Sequence, residues 1–244
     1  MTLVADLDQA RRAQSRTRQQ LRSNLVRTVL AMWRGLGSWD RKDIPRFAPR
    51  AARLVRAGQL QEARLTLGYL DRVSRIRTGR PSPTVRLDRV PGRANGIDLQ
   101  DVYTRPFVWT WTEMGQGKPM ADAVDLAAYR LQRSVETDLE LVGRNTAHTV
   151  IEADRRVIGY KRVLSDKPNH CDLCVLASTN TYKRGDLMPI HPACGCTVEP
   201  LYLDGSNAEA SIDRRIEEAY ERAARNTRIA VSDHGEYGPY LQAA

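Results

Sequence analysis

Cys171-Asp-Leu-Cys174 and His191-Pro-Ala-Cys194-Gly-Cys196 hold all four cysteines of the 244-residue chain and one of its four histidines. Soft thiolates and an imidazole gathered in one short segment suit a tetrahedral zinc ion. A two-residue gap lets both sulfurs of a tight knuckle reach one ion about 2.3 Å away. The sixteen residues between Cys174 and His191 leave room for a hairpin that returns the second ligand group. Five candidates, Cys171, Cys174, His191, Cys194 and Cys196, compete for four positions. The expected set is Cys171, Cys174, Cys196 and one of His191 or Cys194, with the fifth group beside the coordination sphere. Four protein ligands leave no open position for water, so the expected site is structural, and no side chain is assigned a catalytic role.

The elements that must position these ligands follow from local pattern. Val157–Leu164, Thr179–Lys183 and Thr197–Tyr202 read as short strands, with the cysteine pairs at their ends. A zinc-stapled β unit of this size buries too little to hold itself together, so the ion replaces the missing core. Upstream the chain reads as helical. Leu21, Leu25, Val29, Met32 and Trp33 recur at helical steps within a helix over about Asp8–Trp33. A second helix opens at Pro49 and runs to Gly58, and a third carries Leu60, Ala63, Leu67, Leu70 and Val73. Val102–Met114 reads as a helix bent or interrupted by Pro106, with Trp109 and Trp111 as core. A long helix over Met120–Ile151 follows, with a bend expected at Gly143. A last helix is expected over Asn207–Arg225, then a loosely ordered tail. The fold class is mainly α with a small zinc-stapled β element near the C-terminus (α+β). Three regions are expected: an arginine-rich helical region 1–77, a Pro/Gly-rich linker or extended arm 78–97, and a third region 98–244.

Charge is divided unevenly. Residues 1–90 carry 20 basic residues, 19 of them arginine, against 7 acidic ones, whereas the remainder is net acidic. Arginine suits bidentate phosphate and carboxylate contacts, and too few acids are present to pair with so many. A polyanion contact is therefore expected, nucleic acid before an acidic protein surface, through Arg11, Arg12, Arg16, Arg18, Arg22 and Arg27. The plainer reading is a set of solvated helix faces, since arginine is also a good helix former. No apolar run of eighteen residues exists, and the first residues are not expected to act as a signal peptide. A reducing cytosol, where clustered cysteines bind metal in preference to forming disulfides, is the expected compartment.

Residues 158–202 resemble the phage Mu F-like head-morphogenesis family, the minor capsid proteins of tailed phages. The likeness lies in Lys161-Arg-Val-Leu, in the C-x-x-C of Cys171 and Cys174, and above all in His191-Pro-Ala-Cys194-Gly-Cys196 followed by Thr197-Val. The basic helical first half is similar to the versions in phages of actinobacteria, some of which are labelled capsid maturation proteases. The resemblance makes 98–244 a Mu F-like domain and implies a few-copy virion protein inside the head near the portal vertex. Portal protein, major capsid protein and packaged double-stranded DNA would be its partners, and the host cytoplasm its place during assembly.

Three other chemistries compete. A zinc deaminase needs an H-x-E or C-x-E ahead of P-C-x-x-C, and neither Pro168 nor His148…Glu152 has that spacing. A serine protease needs a histidine base, and only His148, His170, His191 and His234 are available; no H-E-x-x-H is present for a metalloprotease. A zinc-ribbon nucleic-acid-binding factor fits the basic half, but the Val175–Ile190 loop holds only Lys183 and Arg184 as basic residues.

Overall fold

The computed structural model describes residues 3–86, 93, 96–166, 170–191, 194–203, 229–233, 235–237 and 239–243. Four long helices come first: α1 (Leu3–Arg34), α2 (Ile44–Thr78), α3 (Leu99–Gly115) and α4 (Met120–Ala153). They are followed by β1 (Val157–Val163), α5 (Asp172–Ser178), β2 (Thr181–Lys183) and β3 (Thr197–Tyr202), then by β4 (Ile229–Asp233) and β5 (Pro239–Ala243). The protein is mainly helical, with a small antiparallel sheet and a Cys/His cluster toward the C-terminus. The helix expected over Asn207–Arg225 lies outside the described residues. No helix among the described residues is long and apolar enough to cross a membrane.

One end of the helical body is organised by aromatic rings. Trp33 meets Phe47 and Phe107 edge to face at centroid distances of 5.4 and 5.0 Å, and all three are fully buried. That geometry sets the positive ring edge against the negative face. The Trp33 indole donates to the Val124 carbonyl at 3.2 Å, so its one polar atom is satisfied inside the core. Trp109 and Trp111 are partly buried against the same cluster. α3 is a single helix through Pro106, and its first turn is capped by the Asp98 side chain, which accepts from the Gln100 amide at 2.8 Å.

The break expected between two helices at Gly58 does not occur: α2 runs unbroken for 35 residues. Gly58 serves packing here, not termination. A Cβ at this position would lie 2.6 Å from Leu25 Cδ2 and 3.3 Å from Leu139 Cδ2, so its absence is what lets α1 and α4 approach α2. The segment 78–97 joins helices that bury against one another, and Arg93 within it is itself buried, its Nε 2.6 Å from Asp138 Oδ1. Tyr103 donates to the other Asp138 oxygen at 2.7 Å.

The opposite end of the body receives the sheet, in strand order β2-β1-β3. Leu7 and Ala10 of α1, Tyr69, Leu70 and Val73 of α2, and Val150 and Ile151 of α4 share one core with strand residues Val157, Tyr160, Val198 and Tyr202. Cys174, Cys194 and Cys196 belong to the same cluster. The tail expected to be loose forms the β4–β5 hairpin. It is tied down by the Ile190 amide donating to Pro239 O at 3.1 Å and by Glu236, which pairs with Arg93 and Arg105 at 3.1 Å each.

Candidate metal centre

Two short segments carry the ligands. Cys171 is the residue that opens α5 and Cys174 lies in its first turn, so the knuckle is the start of a short helix and not the end of a strand. The sixteen-residue gap thus holds most of that helix as well as β2, where a hairpin alone was expected. His191 follows Ile190, and Cys194 and Cys196 lead directly into β3. β1 lies between β2 and β3, pairing Tyr160 with Tyr182 on one side and with Pro200 on the other, and so brings the two segments together.

All five predicted ligands converge. Cys171, Cys174 and His191 form one group, and Cys174, Cys194 and Cys196 a second, with the ligand atoms of each group within 4.8 Å of one another. Cys174 is common to both. Its Sγ lies 3.0 Å from His191 Nε2 and 3.5 Å from Cys194 Sγ. Sulfurs and imidazole nitrogens at bonding distance from one tetrahedral ion stand between about 3 and 4 Å apart, so this spacing fits a shared metal. Cys174, Cys194 and Cys196 are buried, His191 is partly buried and Cys171 is exposed, and all four thiols are free of disulfides.

Without an ion, the cluster divides protons among its own members. The Cys171 thiol is drawn down to about 4 by its hydrogen bond to Cys174, with His191 adding to the effect. Cys194 is likewise held low by hydrogen bonds from Cys174 and Cys196, whereas Cys174 is pushed far up by sharing its proton with its neighbours. Burial works against a charged His191, but hydrogen bonds and attraction from Cys171 and Cys194 prevail and push it up to about 10. A group of donors that stabilises thiolates beside a cation is one that a metal ion can occupy by displacing protons.

Arg162, on β1, completes the charge balance. Its Nη1 lies 3.5 Å from Cys194 Sγ and 3.7 Å from Cys174 Sγ, and its Nη2 donates to the Pro189 carbonyl. Burial opposes its charge, yet the sulfurs of Cys194, Cys196 and Cys174 hold its pKa well above the ordinary range. Sequence reading placed Arg162 only as part of a motif. The available signal was its position two residues after Tyr160, on the inward side of a strand.

The arginines assigned to a nucleic-acid surface separate into two sets. Arg12, Arg16 and Arg27 are exposed, and Arg16 lies 3.7 Å from the exposed Asp166. Arg11, Arg18 and Arg22 instead turn inward, which corrects their assignment to a contact surface. Arg18 Nη1 donates to the Cys196 carbonyl at 3.1 Å and Arg22 Nη2 to the Cys194 carbonyl at 2.9 Å. Both also reach Glu140 of α4, at 3.1 and 3.0 Å, and Arg18 additionally pairs with Glu62 of α2. Arg11 and Arg77 both hold Glu199 of β3. The physical reason is desolvation: a buried guanidinium needs carboxylates, and Glu62 and Glu140 are 1% exposed. Complete burial pushes the Glu140 carboxyl up to about 7 against the pull of Arg18 and Arg22.

Room for this network comes from Gly143. A Cβ there would stand 2.7 Å from Glu62 Oε1 and 2.9 Å from Arg18 Nη2. α4 is continuous across Gly143, where a bend was expected. His148 is remote from the cluster in its contacts, with Nε2 3.2 Å from the Gly185 carbonyl.

No family model, curated protein or solved structure matches the chain.

Proposed function

We propose that this chain is a structural, non-enzymatic component of a tailed-phage head, of the Mu F-like minor capsid kind, with zinc as the ion at the Cys/His cluster. The observation that carries the reading is that Cys171, Cys174, His191, Cys194 and Cys196 form two overlapping ligand groups joined at Cys174. The motif that resembles the head-morphogenesis proteins, C-x-x-C followed by H-P-x-C-x-C, then has a physical meaning: its residues act together as one ligand set. Zinc suits that set because thiolates and imidazole favour it and because four protein ligands close its tetrahedral sphere. In this role the metal fixes the C-terminal sheet on the helical body, and the body presents surfaces to portal, shell and packaged DNA.

Two measurements test the reading. Elemental analysis of the purified chain should find one zinc per molecule, lost when Cys174 and Cys196 are both replaced by serine; retained zinc in that variant refutes the site. The chain should also sediment with assembled heads and leave the major capsid precursor at full length on incubation. Precursor shortening that disappears with a single side-chain substitution would make it a maturation protease instead.

A further inference from the structure

With Arg11, Arg18 and Arg22 turned inward, α1 keeps Arg12, Arg16 and Arg27 exposed, and a denser row of exposed arginines lies on α2. α2 carries eight arginines between Ile44 and Thr78, against two acids, Glu62 and Asp71. Glu62 is buried, which leaves Asp71 as the one acid on the outer side of this helix. Arg46, Arg50, Arg53, Arg64 and Arg75 are all exposed, and at about 100° per residue they fall within roughly 60° of one another around the helix axis. Arg75 is held by Asp71 at 2.8 Å and Arg46 stands 3.9 Å from Asp43. Among the described residues, Arg50, Arg53 and Arg64 have no carboxylate partner.

We infer that this outer face of α2 is a docking surface for double-stranded DNA, gripping the phosphate backbone without reading bases. The partner is chosen by geometry as well as by sign. At about 1.5 Å per residue, Arg46 to Arg75 spans roughly 44 Å in a straight line, longer than one turn of duplex. A rigid row of charges at that scale matches a rigid partner with charges at regular intervals. Arginine without lysine at all five positions adds the planar fork that suits phosphate oxygens. Beyond sign and geometry, the choice of DNA among polyanions also rests on the proposed head role. The surface itself rests on charge and exposure alone.

The test uses the full-length, metal-loaded chain and a duplex of about 30 base pairs, roughly 100 Å and so longer than the arginine row, with binding followed by fluorescence anisotropy over a salt series. Log affinity should fall linearly with log salt, with a slope near −0.9 for each phosphate neutralised. Replacing Arg50, Arg53 and Arg64 together by glutamine should flatten that slope by about three contacts and weaken binding at low salt. Lysine at the same three positions should restore the slope, which separates lost charge from lost fold. Glutamine at Arg12, Arg16 and Arg27 should leave the slope as it is. If the α1 variant loses binding and the α2 variant keeps it, the surface is misassigned. If duplex does not bind but an acidic polypeptide does, and the α2 variant abolishes that, the partner is a protein and the DNA assignment is overturned. Salt-sensitive DNA binding by a chain that never enters heads would sink the head role and leave this surface standing.

Discussion

At the level of single side chains, Cys174 and Arg162 have distinct tasks. Cys174 belongs to both ligand groups, so Cys174→Ser should abolish metal binding, while Cys171→Ser, at the exposed edge, should weaken it less. Arg162 touches sulfur and never replaces a ligand. Arg162→Gln should therefore leave stoichiometry intact and lower metal affinity by about 10–100-fold, the usual effect of removing a group that tunes ligands from behind. Competition with a chromophoric chelator measures both. The proton bookkeeping gives a second expectation. In the metal-free cluster His191 stays protonated to about 10 and Cys174 and Cys196 are also held above the ordinary thiol range, whereas Cys171 and Cys194 are already thiolates. Near neutral pH, metal uptake must then expel the protons of Cys174 and Cys196, and that of His191 where it is a ligand. Apparent affinity should rise with pH, and calorimetry in buffers of different ionisation enthalpy should register release. Uptake without proton release would contradict this distribution.

At the level of elements, α1 is both a helix of the body and the support for the Cys194–Cys196 loop. Its inward face passes from Trp33, Val29 and Leu25 to Arg22, Arg18 and Gln14 and then to Ala10 and Leu7 at three- and four-residue steps. The apolar end of that face was legible in the sequence from its periodicity. The charged end was not, because an arginine pattern reads as solvent-facing unless its carboxylates are known, and Glu62 and Glu140 lie on other helices far along the chain. The ligand set was legible because C-x-x-C and H-x2-C-x-C are local in sequence, whereas α5 was missed because a seven-residue helix shows too few turns for a period. Removing one partner of a buried charge network strands the others, so Arg18→Met should cost about 3–5 kcal/mol in a urea melt. Gly143→Ala should cost about 1–3 kcal/mol by forcing Glu62 and Arg18 apart. A neutral effect of either change would mean that water or side-chain shifts accommodate the network.

At the scale of the whole molecule, two cores divide the work, and the Cys/His cluster belongs to only one. Among the described residues, the buried members of the Trp33–Phe47–Phe107 cluster all come from α1 to α4 and none from the sheet. The second core includes three cysteines together with β1, β3 and the first turns of α1, and its polar border is the Arg18, Arg22, Glu62 and Glu140 network anchored on the carbonyls of Cys194 and Cys196. Metal removal should therefore spread in a defined direction. Chelation frees the Cys194–Cys196 loop, and that takes carbonyl acceptors from Arg18 and Arg22 while Glu199 loses its fixed position against Arg11 and Arg77. Hydrogen–deuterium exchange should then show faster amide exchange in β1, α5 and β3 and also over Leu3–Arg22 of α1. Protection around Val29–Trp33, Phe47–Val55 and Tyr103–Phe107 should persist, since those segments pack on aromatic rings that the ion never touches. Exchange confined to the sheet would show that the arginine network holds without the metal loop, and uniform loss of protection would make the two cores a single cooperative unit.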